Sequence, residues 1–244
     1  MKSIKFIVLV VVSQFVMAQK KVNVETYNKV IISPHIETTF VQGNQESVTI
    51  IKNTTTHNKV NIEVNSGTLR VYLDGAKETT KHKKVVKNGI TTKVPIYKGK
   101  VLTILVTYKN LDELSLRGEQ QTICKSLLEN EIFKLKIYGE SKVVLNAVKI
   151  EKFNANIYGE SELIIKKGLI NTQNITAYGE SEINLLEVEN KVSKLKAYGE
   201  AQFYIQATDK IKFTAYGEAK LQYKGSAIIS KGISFGDSEI SQIN

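Results

Sequence analysis

From residue 111 onward, hydrophobic and polar side chains alternate in a frame that restarts about every twenty residues. Each restart is marked by a glycine: Arg117-Gly118-Glu119, Tyr138-Gly139-Glu140-Ser141, Tyr158-Gly159-Glu160-Ser161, Tyr178-Gly179-Glu180-Ser181, Tyr198-Gly199-Glu200-Ala201, Tyr216-Gly217-Glu218-Ala219 and Phe235-Gly236-Asp237-Ser238. Successive glycines lie 21, 20, 20, 20, 18 and 19 residues apart. Four residues before the glycine stand Leu114, Leu135, Ala155, Ile175, Leu195 and Phe213, and two before it Leu116, Ile137, Ile157, Ala177, Ala197 and Ala215. Four after it come Val143, Leu163, Ile183, Phe203, Leu221 and Ile240; six after it, Leu145, Ile165, Leu185, Ile205 and Tyr223. Even positions are apolar or small and odd ones carry Lys, Glu, Tyr, Asn and Thr, which is the period of strands with one buried face.

A repeat of this length is one coil of a solenoid, burying its apolar side against its neighbours. Two strands meet at the glycine, and the residue two beyond it is Ser or Ala in every repeat from Ser141 onward. Small inward residues let the chain bend where a larger side chain would strike the adjacent coil. A third short segment, at residues 148–150, 169–170, 188–192 and Ile211, closes the coil. The fold expected for residues 111–244 is a right-handed parallel β-helix of six to seven coils, stacked about 4.8 Å apart. Residues 19–110 belong to the same body and are β-rich without visible period, predicting either antiparallel hairpins or irregular first coils that cover the end of the stack. Residues 76–100 break the alternation with Lys77, Lys81, Lys83, Lys84, Lys87, Lys93, Lys98 and Lys100 against a single Glu78. They read as a basic excursion, a hairpin turning at Asn88-Gly89.

The first eighteen residues read as a signal peptide: Lys2 and Lys5, an apolar stretch from Phe6 to Met17 too short to span a bilayer, then Val16-Met17-Ala18 before Gln19. The mature chain is therefore expected to be exported to the periplasm, the outer membrane surface or the exterior, without a transmembrane segment. No cysteine follows Ala18 to carry a lipid anchor. Losing two lysines lowers the formal charge from +10 to +8. In an exported protein a pI above nine points to anionic glycans or envelope surfaces rather than nucleic acid. Cys124 is the only cysteine, so no internal disulfide forms, and its strand-like setting marks it as a small buried hydrophobe.

Asn28-Lys29-Val30, Thr39-Phe40-Val41-Gln42-Gly43, Asn65-Ser66-Gly67-Thr68-Leu69-Arg70-Val71 and Leu111-Asp112-Glu113-Leu114-Ser115-Leu116 resemble the putative auto-transporter adhesin head (GIN) domain family of Bacteroidetes. Ile137-Tyr138-Gly139-Glu140-Ser141-Lys142-Val143 fills the frame of that family's apolar-Ser-Gly-Ser-Gly-Asp-apolar repeat, with Tyr, Glu and Ser substituted. The resemblance covers roughly residues 27–244. It implies an exported β-helix and an adhesin-like or cell-envelope binding or structural role.

Two ladders are candidate sites. Glu140, Glu160, Glu180, Glu200 and Glu218, extended by Glu119 and Asp237, stack carboxylates that repel unless a cation, a lysine or protonation relieves them. Calcium suits carboxylate clusters, but the Gly-Gly-x-Gly-x-Asp spacing of calcium β-rolls is missing, and Lys134, Lys136, Lys142, Lys194, Lys196 and Lys220 are available to screen the ladder instead. Tyr138, Tyr158, Tyr178, Tyr198 and Tyr216 stand beside it, each offering an apolar face and a hydroxyl to glycans or a protein partner, or simply bracing neighbouring strands. The basic patch of Lys81, Lys83, Lys84 and Lys87 is the rival contact. A polysaccharide lyase or glycosidase is the alternative to a non-catalytic module. Catalysis, however, needs two carboxylates in different environments, and an identical ladder singles out none.

Overall fold

A computed structural model describes residues 20–243; the signal peptide expected at residues 1–18 lies outside the described residues. Nineteen strands form one continuous sheet wound into a β-solenoid of about six turns, with coils of about twenty residues. Neighbouring coils pair in parallel and residue for residue: Leu135 opposite Ala155, Ala155 opposite Ile175, Ile175 opposite Leu195 and Leu195 opposite Phe213. Thr122–Tyr138 and Lys142–Tyr158 run as 17-residue strands around the coil. Later coils divide into pairs such as Ser161–Ile165 with Gly168–Tyr178, and Ser181–Leu185 with Val188–Tyr198. The third side stacks Val148 on Gly168 on Val188 and Ile150 on Ile170 on Asn190, whereas Ile211, expected on this side, lies opposite Ser193.

The even positions form the core. The residues four and two before the glycine are buried from Leu114 to Ala215, as are those four and six after it from Val143 to Leu221. Only Tyr223 and Ile240, in the last coils, are partly open. Column six before the glycine holds one departure from apolar filling: Phe133 and Phe153 stack at 6.2 Å, and Gln173 and Ser193 follow them in register. These polar groups stay inside because they bond one another. Gln173 Nε2 donates to Ser193 Oγ at 2.8 Å, Ser193 Oγ to Asn190 Oδ1 at 2.6 Å, and Asn190 Nδ2 to the Ile170 carbonyl at 2.9 Å. Gln173 Oε1 is left without a partner.

Parallel stacking begins well before Leu111. Lys29–Ile32 lies between Glu113–Arg117 and Thr68–Leu73, and Ile36–Gln42 lies between the start of Thr122–Tyr138 and Leu102–Tyr108, all in parallel. Residues 29–42 are thus a coil whose corner is Ser33-Pro34-His35. Residues 110 and 111 mark where the period becomes visible rather than where coiling starts. Antiparallel pairing is present too: Ser47–Asn53 pairs with Leu102–Tyr108 and with Lys20–Asn23, and Val60–Asn65 pairs with Thr68–Leu73. These strands occupy the edge that the outermost coil would otherwise expose. No α-helix occurs among the described residues, and no helix is long and apolar enough to cross a membrane.

Cys124 is fully buried, with its sulfur 3.5 Å from the Tyr108 hydroxyl. Burial pushes the thiol up to about 11, so it stays protonated at neutral pH. Alkylation by iodoacetamide at pH 8 is expected to be at least tenfold slower in the native protein than in urea. Equal rates would place the thiol at the surface.

Candidate functional site

The edge that carries both ladders is built by its glycines. At Gly139 the backbone takes φ +114°, and a Cβ there would lie 2.5 Å from the Gly118 carbonyl oxygen of the coil before it. That carbonyl accepts two bonds from the next corner, from Glu140 N at 3.1 Å and from Ser141 Oγ at 2.7 Å. Ser161 Oγ donates likewise to Gly139 O at 2.8 Å, and Ser181 Oγ to Gly159 O at 3.0 Å. The serine of Tyr-Gly-Glu-Ser is therefore a clasp between corners, a role beyond the small size that the sequence pattern implies. Ala201 and Ala219 fill the same position, so alanine fits sterically. Ser181→Ala, which removes only the bond to Gly159 O, should cost about 1 kcal/mol of stability, the net value of a typical hydrogen bond. Urea unfolding checks this, and an unchanged midpoint would show the clasp to be energetically idle.

Beside the glycines the tyrosines form an unbroken stack. Successive rings from Tyr138 to Tyr216 are centred 5.0, 4.7, 4.9 and 5.1 Å apart and lie within 7° of parallel. The Arg117 guanidinium covers the outer face of Tyr138 at 5.1 Å, and Phe235 covers that of Tyr216 at 5.9 Å. The tyrosine faces are thus taken up by one another, bracing neighbouring coils, and none lies open to a sugar ring. What reaches solvent is a file of ring edges and hydroxyls; Tyr158, Tyr178 and Tyr198 are each just over one-third exposed. Partial burial between Tyr178 and Tyr138 raises the Tyr158 hydroxyl above the ordinary tyrosine range.

Glu140, Glu160, Glu180, Glu200 and Glu218 are all exposed next to this file. The lysines expected to screen them are committed elsewhere or stand apart. Lys136 pairs with Glu113 at 2.6 Å and Lys142 with Glu162 at 2.6 Å, and no ladder carboxylate forms an ion pair among the described residues. Lysines three or five residues before the glycine, and three after it, point outward from different rows of the coil than the carboxylates. Calcium fits these residues no better. Among the described residues no three His, Cys, Asp or Glu side chains gather in a way that would hold a metal ion, because the ladder supplies one carboxylate per coil.

The two candidate sites share one edge. Residues 74–101 are inserted at the corner of the outermost coil, in line with Ser33-Pro34-His35 below and the glycine column beyond. From this insertion rises the two-stranded hairpin His82–Lys87 and Ile90–Pro95, turning at Asn88 and Gly89 with φ +52° and +77°. Its base is held by His35, whose Nδ1 lies 2.7 Å from the Gly99 carbonyl and Nε2 2.7 Å from Thr80 Oγ1. It ties both legs of the insertion together and packs on Tyr97 at 5.7 Å. Glu78 pairs with both Arg70 and Arg117, and Arg70 chiefly, with Arg117, holds its carboxyl below the usual range. Through Arg117 the hairpin base therefore continues directly into the tyrosine stack. A groove of about 410 Å³ lies at this junction, lined by His35, Glu78, Thr80, Arg117, Glu119 and Tyr138. Another of about 390 Å³ crosses the last corners, among Glu200, Gln202, Glu218, Lys220, Asp237 and Glu239.

A family described as "Putative auto-transporter adhesin, head GIN domain" matches residues 26–227. The chain belongs to this family. The GIN-domain fold is shared by a solved putative adhesin from Bacteroides fragilis, 18% identical with a TM-score of 0.75, covering 93% of this chain and 96% of that one. A putative adhesin from Parabacteroides merdae is 20% identical, with a TM-score of 0.68 and the same coverage of 93% and 96%. A protein from Parabacteroides distasonis called a putative lipid binding protein is 16% identical, with a TM-score of 0.62 and again 93% and 96% coverage. At these identities the likeness concerns the fold alone. No curated protein matches the chain in sequence.

Proposed function

We propose that this GIN-domain protein is an exported, non-catalytic module that binds cell-envelope or surface components in an adhesin-like way, through the strip of tyrosine edges and glutamates. The observation that carries the reading is the unpaired, repeated corner. Five carboxylates and five phenol hydroxyls advance together, one of each per coil. With the ring faces closed, the strip recognises by hydrogen bonding rather than by stacking. It suits a polyhydroxylated polymer such as a glycan, whose hydroxyls donate to carboxylates and exchange bonds with phenols. Each contact is weak, so affinity comes from repetition along the strip. Catalysis is disfavoured because neighbouring corners present the same groups in the same setting, giving no acid and base with distinct pKa values.

Tyr158, Tyr178 and Tyr198 changed together to Phe keep the stack and remove three hydroxyls; Glu160, Glu180 and Glu200 changed to Gln remove three charges. In a binding screen of the mature protein against cell-envelope polysaccharides, each triple variant should lose tenfold or more in affinity while its circular dichroism stays native. Binding that survives both but disappears when Lys81, Lys83, Lys84 and Lys87 are neutralised moves the contact to the hairpin. Turnover of any polysaccharide, abolished by one Glu→Gln change, would establish the enzyme instead.

A further inference from the structure

The hairpin has a chemistry of its own that the strip does not explain. All six residues of His82–Lys87 and the first four of Ile90–Pro95 are exposed, so neither face of this two-stranded sheet packs against the solenoid. An isolated hairpin has no core in which to hide apolar side chains. Yet Val86 and Ile90, either side of the Lys87-Asn88-Gly89 tip, are each 69% exposed, and Val85 beside them is 39% exposed. Register places Val85 and Ile90 on one face and Val86 on the other, so the apolar groups encircle the tip.

Behind the tip the charge is of one sign. Between Thr79 and Gly99 the chain carries six lysines and no acidic residue. Only the lysines at the foot are neutralised: Lys77 lies 3.9 Å from Glu63 and Lys100 is 2.8 Å from Glu37. Lys81, Lys83, Lys84, Lys87, Lys93 and Lys98 form no ion pair among the described residues. An apolar tip followed by a collar of free ammonium groups is the arrangement that enters the boundary between acyl chains and anionic head groups. Each lysine near such a surface contributes about 1 kcal/mol of attraction, and the stems reach back to water while the tip goes in. Six residues per strand give the finger a length of roughly 20 Å, enough to hold the tip clear of the coils.

We infer that the hairpin is a finger that docks this end of the solenoid on an anionic phospholipid surface, with Val86 and Ile90 inserted and the lysines on the phosphates. The inference is independent of what the strip binds. His35 holds Thr80 and Gly99 together at the base of the finger.

The test uses the whole mature chain and vesicles of equal parts phosphatidylglycerol and phosphatidylcholine, compared with phosphatidylcholine alone. Wild-type protein should co-sediment with the anionic vesicles at least tenfold more tightly, and lose that preference in high salt. Changing Lys83, Lys84, Lys87 and Lys93 to Gln should bring binding to the neutral-vesicle level. Val86→Ser with Ile90→Ser should cost about tenfold at unchanged charge. The chain has no tryptophan, so Ile90→Trp supplies a single reporter whose emission should shift to the blue with anionic vesicles only. Equal binding to both vesicle types, serine variants that bind like wild type, or a tryptophan that stays in water would each overturn the finger. So would binding to a soluble polyanion with none to vesicles, which would leave a plain anion patch.

Discussion

Gly139→Ala should destabilise this protein by about 3 kcal/mol or more, a large share of the roughly 5–15 kcal/mol that holds a typical domain together. Two costs add at that position. Backbone with φ +114° is left-handed and strains any residue bearing a Cβ, by about 1–3 kcal/mol. The new methyl would also lie 2.5 Å from the Gly118 carbonyl oxygen, which is backbone and cannot swing away as a flexible side chain would. Relieving that clash means separating two coils, at a further cost of about 1–3 kcal/mol for overpacking. Separation also loosens the bonds from Glu140 N and Ser141 Oγ to the same oxygen. Ser141→Ala is the control, since it removes one of these bonds without strain and should cost about 1 kcal/mol. Urea unfolding followed by circular dichroism separates the two. A Gly139→Ala midpoint equal to that of Ser141→Ala would mean that the corner can open freely, and that the glycine column is not what sets the coil spacing.

The column was legible because it recurs. Seven glycines at near-constant spacing, with apolar residues two and four places away, report coil length, inward face and bend together. Where recurrence fails, so does reading. Pro34 takes the glycine's place in the first coil, directly beneath Gly118, but 84 residues separate the two and no period connects them. Gln173 escaped the apolar rule because its satisfaction comes from Ser193, one coil away, a partner that appears only when coils are stacked in register. The tyrosine ladder shows the same limit from the functional side. Sequence spacing places the rings in line; the separations of 4.7–5.1 Å decide that their faces are closed. Charge misled in a similar way. Lys136 and Lys142 are near the acidic ladder in sequence, yet they stand in other rows and meet Glu113 and Glu162 there. The basic excursion, by contrast, was readable from one dipeptide, because Asn-Gly supplies the two positive φ values that a tight hairpin demands.

Removing residues 159–178 should yield a folded solenoid one coil shorter. The deletion joins Tyr158 to Gly179, and every pairing it creates is already present one step away. Lys142 and Glu182 both pair with Glu162, Ala155 and Leu195 both pair with Ile175, and Tyr158 and Tyr198 both pair with Tyr178. Phe153 would meet Ser193 in place of Gln173, and the one interior oxygen of that residue without a partner would be removed with it. In a stack whose stability is a sum over repeats and their interfaces, losing one coil lowers the total without breaking the rest. The melting temperature should fall by several degrees while the circular dichroism per residue is kept. The urea m-value should shrink with the surface buried, since it scales with the area exposed on unfolding. Removing only residues 159–168 is the contrasting case: it joins Tyr158 to Leu169, a corner to a third side, and leaves half a coil with no register to enter. That protein should fail to fold. If the twenty-residue deletion unfolds as completely as the ten-residue one, the coils are not interchangeable and the repeat in sequence conceals a specific order of layers. If it folds, its strip is shorter by one tyrosine and one glutamate. Its affinity for a polymer that binds wild type should then drop by the contribution of one step, a dose relation that a single localised site would not give.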